Sequence, residues 1–167
     1  MEILIRPERP GDGEGLARVW LDNAKYHAEL APDLFQVPED TGLAEWMETK
    51  IAPAPPADRL SLIAEVDGRL VGFMSARLLE PMEEAERQVV GEVGETRLVI
   101  NALGVERSHW RQGVGTKLMK AAEDWGRERG ATLVCLDTWV ESPVSVPFYE
   151  RRLGYERRQI AFRKRLR

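Results

Sequence analysis

The residues best placed to do chemistry lie in one stretch, V-E-R-S-H-W-R-Q-G-V-G-T-K-L-M, positions 105–119. Gly113 and Gly115 stand one residue apart, after Arg111, where branched apolar residues give way to an amphipathic run. If that run is a helix, its first-turn N–H groups have no intrahelical acceptor, and the helix dipole adds partial positive charge at the same end. Glycine lets a bulky anion approach the backbone. A phosphate or pyrophosphate suits such a turn, and Arg111 can add a charged contact. The two glycines serve equally to make a tight turn with close helix–sheet packing, and spacing alone leaves both readings open. Two other phosphate motifs do not fit. A Rossmann fingerprint needs glycine where Leu118 stands, and a Walker loop needs G-K-S/T where the order is Gly115-Thr116-Lys117.

These residues need elements to position them. Ile3 to Ile5 suggest a short strand stopped by Pro7 and Pro10. Leu16, Val19, Trp20, Ala24 and His27 recur at helical spacing, so a helix from about Asp12 to Leu30 should bury them as one face, with His27 packed rather than ligating. Asp40 or Thr41 can cap a second, short helix reaching about Lys50, followed by the stiff A-P-A-P-P-A connector. Asp67-Gly68 between two β-rich runs marks a hairpin. R-L-V-I-N-A-L-G-V, 97–105, reads as a buried strand, and the helix after Gly113 should stop at Gly130. A-T-L-V-C-L-D-T reads as another buried strand. A short helix over about 144–152 and a last strand over 156–164, with its arginines in solvent at a sheet edge, complete the order β-α-α-β-β-β-α-β-α-β. That order predicts an α/β (α+β) fold: a mixed sheet with helices on its faces, built as a single domain over 1–167.

Two segments, in this order, resemble a known family. Residues 103–119 are similar to the acyl-CoA-binding segment of the GCN5-related N-acetyltransferase (GNAT) superfamily, where a strand ending in valine leads through a short loop to R/Q-x-x-G-x-G/A and a helix. L-D-T-W-V-E-S-P-V-S-V-P-F-Y-E-R-R-L-G-Y, 136–155, resembles the family's late strand and its F-Y-x-x-x-G-F/Y helix. The sequence departs from the pattern in four places. Trp110 occupies the first position of the glycine motif, with arginine one residue later. Ser142 stands where an asparagine is common. One additional residue separates Phe148-Tyr149 from Gly154, and Asn101 stands where some members carry a glutamate base.

The resemblance implies a mostly antiparallel central sheet flanked by helices, with acetyl-CoA as cosubstrate, an amine as acceptor and no metal. The pantetheine arm would lie along Leu103, Gly104 and Val105 as an added strand. The pyrophosphate would sit on the amides of Arg111, Gln112, Gly113, Val114, Gly115 and Thr116, and Ser142 would join the donor site. Tyr149 would be the general acid toward the leaving thiolate, although a tyrosine beside Phe148 also suits a core. Asn101 cannot be a base but can orient a water. Glu80, with Glu83, Glu84 and Glu65, could relay a proton through water, and each also reads as a surface carboxylate. The acidic loop could draw in a cationic amine. A non-catalytic acyl-CoA sensor is the alternative of another class.

Composition narrows the rest. A net charge of −4 and a pI near 5.4 give no global field for nucleic acid, although the tail from Arg151 is basic. Cys135 is the only cysteine and sits among apolar neighbours, so an inert thiol and a reducing compartment are expected. No uncharged apolar run approaches the ~20 residues of a membrane span, and the N-terminal residues do not read as a signal peptide. A cytoplasmic protein with no membrane partner follows as the expectation, and the family resemblance admits a homodimer.

Overall fold

The computed structural model describes residues 2–166. By contact the chain divides into two compact units, one reaching to Cys135 and the other beginning at Leu136. The first unit holds a five-stranded sheet in the order β1-β2-β3-β4-β5, with β1 Ile3–Pro7, β2 Arg59–Val66, β3 Arg69–Leu79, β4 Arg97–Val105 and β5 Leu133–Cys135. The first four strands pair antiparallel and β5 runs parallel to β4. The mixed, mostly antiparallel sheet is the one expected. Asp67 (φ 51°) and Gly68 (φ 76°) both adopt the left-handed conformation of a tight two-residue hairpin.

Helix α1, Gly13–Leu30, packs Leu16 and Val19 with Ile51, Ile63 and Leu70, and Met47 and Phe73 extend the cluster. Trp20 is 41% exposed, so it lies outside the buried face assigned to it. His27 is packed as expected, its Nδ1 at 2.8 Å from the Asn23 carbonyl and its ring 4.9 Å from that of Phe35. Helix α2 is shorter than predicted, Leu43–Glu48. Its N-cap is Gly42, left-handed at φ 75°, and not Asp40 or Thr41. Glu48 of α2 accepts the backbone N–H groups of Gly11 (2.7 Å) and Gly13 (2.9 Å), which satisfies donors at the mouth of α1.

Helix α3, Val114–Glu128, buries Val114, Leu118, Met119 and Ala122. A methyl group on Gly126 would meet Leu98 of β4 at 3.0 Å, so this helix comes down close on the sheet. Gly130 (φ 84°) ends it as expected.

In the second unit, α4 (Ser145–Pro147) continues into a π-helical turn, Phe148–Arg152. The strand expected over 156–164 is not formed among the described residues. Ile160, Phe162 and Leu166 are 66%, 93% and 89% exposed, so the alternation of apolar and basic residues there has no ladder to join. β5 is also shorter than the buried run suggested and only half-buried.

A buried ion network ties β1 to β2 and to the start of α1. The Arg6 guanidinium donates to both Asp12 oxygens (2.8 and 2.6 Å) and, through Nε, to Glu65 Oε1 (2.8 Å). Glu65 is therefore committed to structure and is not the free relay considered from sequence. Burial by itself pushes the Asp12 carboxyl up, but Arg6 and the Arg9 amide outweigh it and hold the group below its ordinary range. A carboxylate lowered in the folded state stabilises fully above its unfolded pKa, and that contribution is lost as pH falls through the folded value. Asp12→Ala, which strands much of a buried guanidinium, is expected to cost about 3 kcal/mol at neutral pH. In denaturant titrations it should also flatten the loss of stability below about pH 4.

Candidate functional site

The site follows from one mismatch in strand length. β5 pairs with β4 only at Arg97, Leu98 and Val99, so from Ile100 to Val105 that edge of β4 has no partner strand among the described residues. On the other edge, Ser75 of β3 pairs with Ala102 and Ala76 with Ile100, which leaves Asn101 as the extra residue of a β-bulge. Bulges interrupt the ladder and re-aim side chains, and Asn101 is exposed there.

Register decides which backbone groups reach the open edge. Glu106 N–H donates to the Val71 carbonyl at 2.8 Å, which makes Gly72–Val105 a pair that exchanges no hydrogen bonds. The N–H and C=O of Val105, and by alternation those of Leu103, therefore point away from β3 toward the open edge. Gly104 pairs with Phe73 and turns its backbone groups inward. A Cβ at Gly104 would meet the Phe73 ring at 2.6 Å, so a larger residue there would have to displace that ring. The Val105 carbonyl is already engaged. It accepts the Trp110 indole Nε1–H at 2.7 Å and the Asn23 side-chain amide at 3.1 Å.

The loop then turns into α3. Gly113 is the N-cap, left-handed at φ 90°, with open space where a side chain would be. The amides of Val114, Gly115 and Thr116 form the first turn, which the helix itself leaves without acceptors. Gln112 donates its side-chain amide to the Ser108 carbonyl at 2.8 Å, so it braces the loop. Arg111 is exposed and also left-handed at φ 61°. A left-handed conformation costs a residue with a Cβ about 1–2 kcal/mol, and such strain gathers where function needs a particular backbone path.

Sequence reasoning missed Glu106, which is 4% exposed at the end of β4. It accepts from Arg18 of α1 (2.8 Å) and Arg69 at the start of β3 (2.9 Å), and His109 Nδ1 lies 3.6 Å away. Asp22 accepts both the Arg107 backbone N–H (2.7 Å) and its side-chain Nε (3.0 Å). Tyr26 stands edge-on to Trp110 at 4.8 Å. The recurrence of Arg18, Asp22 and Tyr26 every four residues was the available signal, a polar stripe on α1 with no assigned partner.

Glu80 is exposed just beyond β3, level with the residue before β4 begins. Five residues of strand, roughly 16 Å, separate that level from the bulge. Glu80 is thus not brought beside Asn101, and Glu83 and Glu84 lie further along the same exposed loop. Cys135 is half-buried, and burial together with Glu92 pushes its thiol up, as suits an unreactive group.

In the second unit, Ser142 is buried, and its Oγ accepts the Ser145 N–H at 3.0 Å. It thereby ties the chain entering the Tyr149 helix through an oxygen lone pair, which leaves its O–H able to donate. The additional residue of the F-Y segment is taken up by the π turn, in which Leu153 N–H bonds the Phe148 carbonyl five residues back at 3.1 Å. Gly154 (φ 76°) then ends the helix. The Tyr149 ring sits 5.1 Å from Phe148 and 5.9 Å from Tyr155, and burial pushes its phenol up to about 12.

Among the described residues, then, β4 carries a stretch of edge without a partner strand beside a bulge, and the loop after it leads to the glycine-capped first turn of α3. The model of the acetyltransferase (GNAT) family matches residues 16–155, and the chain belongs to that family. It is 32% identical over 142 residues to the aminoglycoside N(6')-acetyltransferase type 1 of Klebsiella aerogenes, covering 85% of this chain and 82% of the relative. It is 29% identical over 98 residues to the probable N-acetyltransferase camello of Xenopus tropicalis, a match that takes in 59% of this chain and only 39% of that protein's length. Among solved structures, a mutant of the Bacillus halodurans protein BH1408 shares the fold at TM-score 0.80 with 17% identity, over 98% of this chain and 99% of the other. AAC(6')-Iy, solved with a bisubstrate analogue, CoA-S-monomethyl-acetylneamine, superposes at TM-score 0.64 with 24% identity over 99% of this chain and 100% of that one. At these identities the two superpositions speak to the fold.

Two measurements test this geometry. In an alkaline ultraviolet titration, one of the three tyrosines should ionise near 12, and Tyr149→Phe should remove that step. Because this phenol is raised on folding, its contribution to stability is full below about pH 10 and should be lost as pH climbs toward the folded value. Separately, Arg111→Gly relieves left-handed strain, so its unfolding free energy should stay level or rise by up to about 1 kcal/mol. The same variant should bind coenzyme A several-fold more weakly by calorimetry.

Proposed function

We propose that the chain transfers the acetyl group of acetyl-CoA to a primary amine, by direct attack of the amine on the thioester. The observation that carries this reading is the continuity of the open β4 edge with the glycine-capped mouth of α3. The pantetheine arm pairs along the edge with the backbone groups of Leu103 and the N–H of Val105, as an added strand would. The Val105 carbonyl, taken by Trp110 and Asn23, is left out of that ladder. The pyrophosphate then meets the first-turn amides, with Arg111 beside it.

The amine must be neutral to attack, and Asn101 on the bulge orients a water that takes up its proton. Attack converts the carbonyl oxygen to an oxyanion, which a backbone donor at the interrupted ladder stabilises. As the intermediate collapses, the C–S bond breaks and the sulfur leaves with the electron pair. From the resemblance of its motif alone, we assign Tyr149 the donation of a hydrogen bond to that sulfur. A phenol near 12 is a weaker acid than an ordinary thiol of about 8.5, so complete transfer from it runs uphill. The proton that neutralises the thiolate comes instead from the more acidic ammonium of the intermediate.

The acceptor we favour is a small polycationic amine of the aminoglycoside kind. Two observations support it: the Klebsiella aerogenes relative is matched over most of both chains, and an exposed acidic loop precedes β4. That loop acts by steering cations, since Glu80 is too far along the sheet for direct chemistry.

Thiol release from acetyl-CoA, measured over a panel of aminoglycosides, polyamines, amino acids and peptides, tests the proposal. Release with at least one cationic amine is expected, and Tyr149→Phe should lower kcat by about 100-fold with little change in coenzyme A affinity. Tight coenzyme A binding without release for any amine would assign the chain as a sensor instead. No binding at all would remove the donor site.

A further inference from the structure

The Val105 carbonyl stands at the hinge between β4 and the phosphate-facing loop, and both hydrogen bonds it accepts come from outside the strand. Trp110 Nε1–H reaches it at 2.7 Å from within the loop, and Asn23 Nδ2–H at 3.1 Å from α1. Asn23 is itself fixed, donating to the Val19 carbonyl at 2.8 Å while its own carbonyl receives His27 Nδ1 at the same distance. The Trp110 ring is held edge-on by Tyr26 at 4.8 Å. Around these, Asp22 holds the Arg107 backbone and side chain, and Arg18 holds the buried Glu106. Residues 18–26 of α1 therefore hold Val105, Glu106, Arg107 and Trp110, immediately before the helix mouth.

We infer that Trp110 and Asn23 are positioning residues for the acyl-CoA donor: by sharing the Val105 carbonyl they fix the loop so that the first-turn amides of α3 point outward together. The inference rests on the donor site proposed above. The position Trp110 occupies leads the glycine turn, and an indole there cannot neutralise a phosphate. It supplies a neutral N–H donor to the protein's own backbone and a flat ring for packing. The loop is preorganised before the ligand arrives, so less ordering is left to oppose binding. Because one carbonyl accepts both donors, removing either leaves it satisfied, and removing both leaves it with none. The two substitutions should therefore not act independently.

The test is a double-mutant cycle with Trp110→Phe, which keeps a ring against Tyr26 but loses the N–H, and Asn23→Leu, which keeps volume but loses the amide. Each single variant should raise the KM for acetyl-CoA and the calorimetric Kd for coenzyme A about threefold. The double variant should raise them thirtyfold or more, beyond the roughly ninefold product of the singles. Across the set, kcat at saturating donor and the KM for the amine should stay within about twofold. Hydrogen exchange at the amides of 112–116 should quicken in step with Kd. A merely structural role would lower thermal stability and degrade both substrates' KM values together, without that selective pattern. Unchanged donor affinity in the double variant overturns the inference. So does tighter binding, which would mean that the freed carbonyl pairs with the pantetheine arm. Failure of the wild-type chain to bind coenzyme A falls instead on the proposed function, which keeps the two claims apart.

Discussion

Backbone polar groups at the surface of a sheet must find partners in protein, water or ligand, and this fold leaves a defined set of them without protein partners. β5 accompanies β4 for three residues and then stops, so among the described residues the remaining edge of β4 has no partner strand. The bulge at Asn101 and the glycine cap at Gly113 bracket that opening with the two kinds of irregular backbone that expose donors without side-chain obstruction.

The charged residues around this line are mostly occupied with each other. Arg6, Asp12 and Glu65 close one end of α1, and Glu106 gathers Arg18, Arg69 and the neighbourhood of His109 at the sheet's other edge. Buried ion pairs of this type add little net stability, because desolvation offsets much of their attraction. What they do here is fix geometry. A hydrophobic replacement could pack as well, but it would not hold the chain leaving β4 at one angle to the helix that crosses it. Glu48 does the same for the start of α1, where its carboxylate replaces the missing acceptors of the first turn.

Much of this was legible in the sequence where a local rule was decisive. Asp67-Gly68 set the hairpin, Gly130 set the end of α3, and the apolar period set α1 and α3. Gly113 was legible as a helix cap because the left-handed position it occupies is one that glycine fills at little cost. What was not legible depends on contacts between distant positions. Nothing in the alternation of Ile160, Phe162 and Leu166 says whether a partner strand exists, and the described residues form none. Trp20 has the right spacing for a buried face but sits at its margin, exposed on one side with its ring 6.0 Å from that of Phe73. Glu65 had the chemistry of a relay, and only the cross-strand position of Arg6 shows that the chemistry is spent. Glu106 was overlooked because a lone glutamate after a strand looks like surface, and its burial requires two arginines far away in sequence.

Two of the four departures from the family's local patterns have the same physical character. Trp110 stands where the family pattern has arginine or glutamine, and it aims a neutral donor at the protein's own backbone, so the loop is held from within. The residue added between Phe148 and Gly154 is absorbed by widening one turn from four residues to five, so Gly154 still ends the helix in its left-handed cap. In each case the sequence change is taken up by backbone geometry and not by relocating the functional group. Backbone positions in this fold are set by many hydrogen bonds at once, whereas a side-chain contact to a ligand is set by one or two. A motif can therefore lose a characteristic side chain, or gain a residue, and keep its purpose, provided the amides and the phenol remain where the surrounding bonds put them. Departure from a consensus letter is weaker evidence against function than loss of a backbone donor would be.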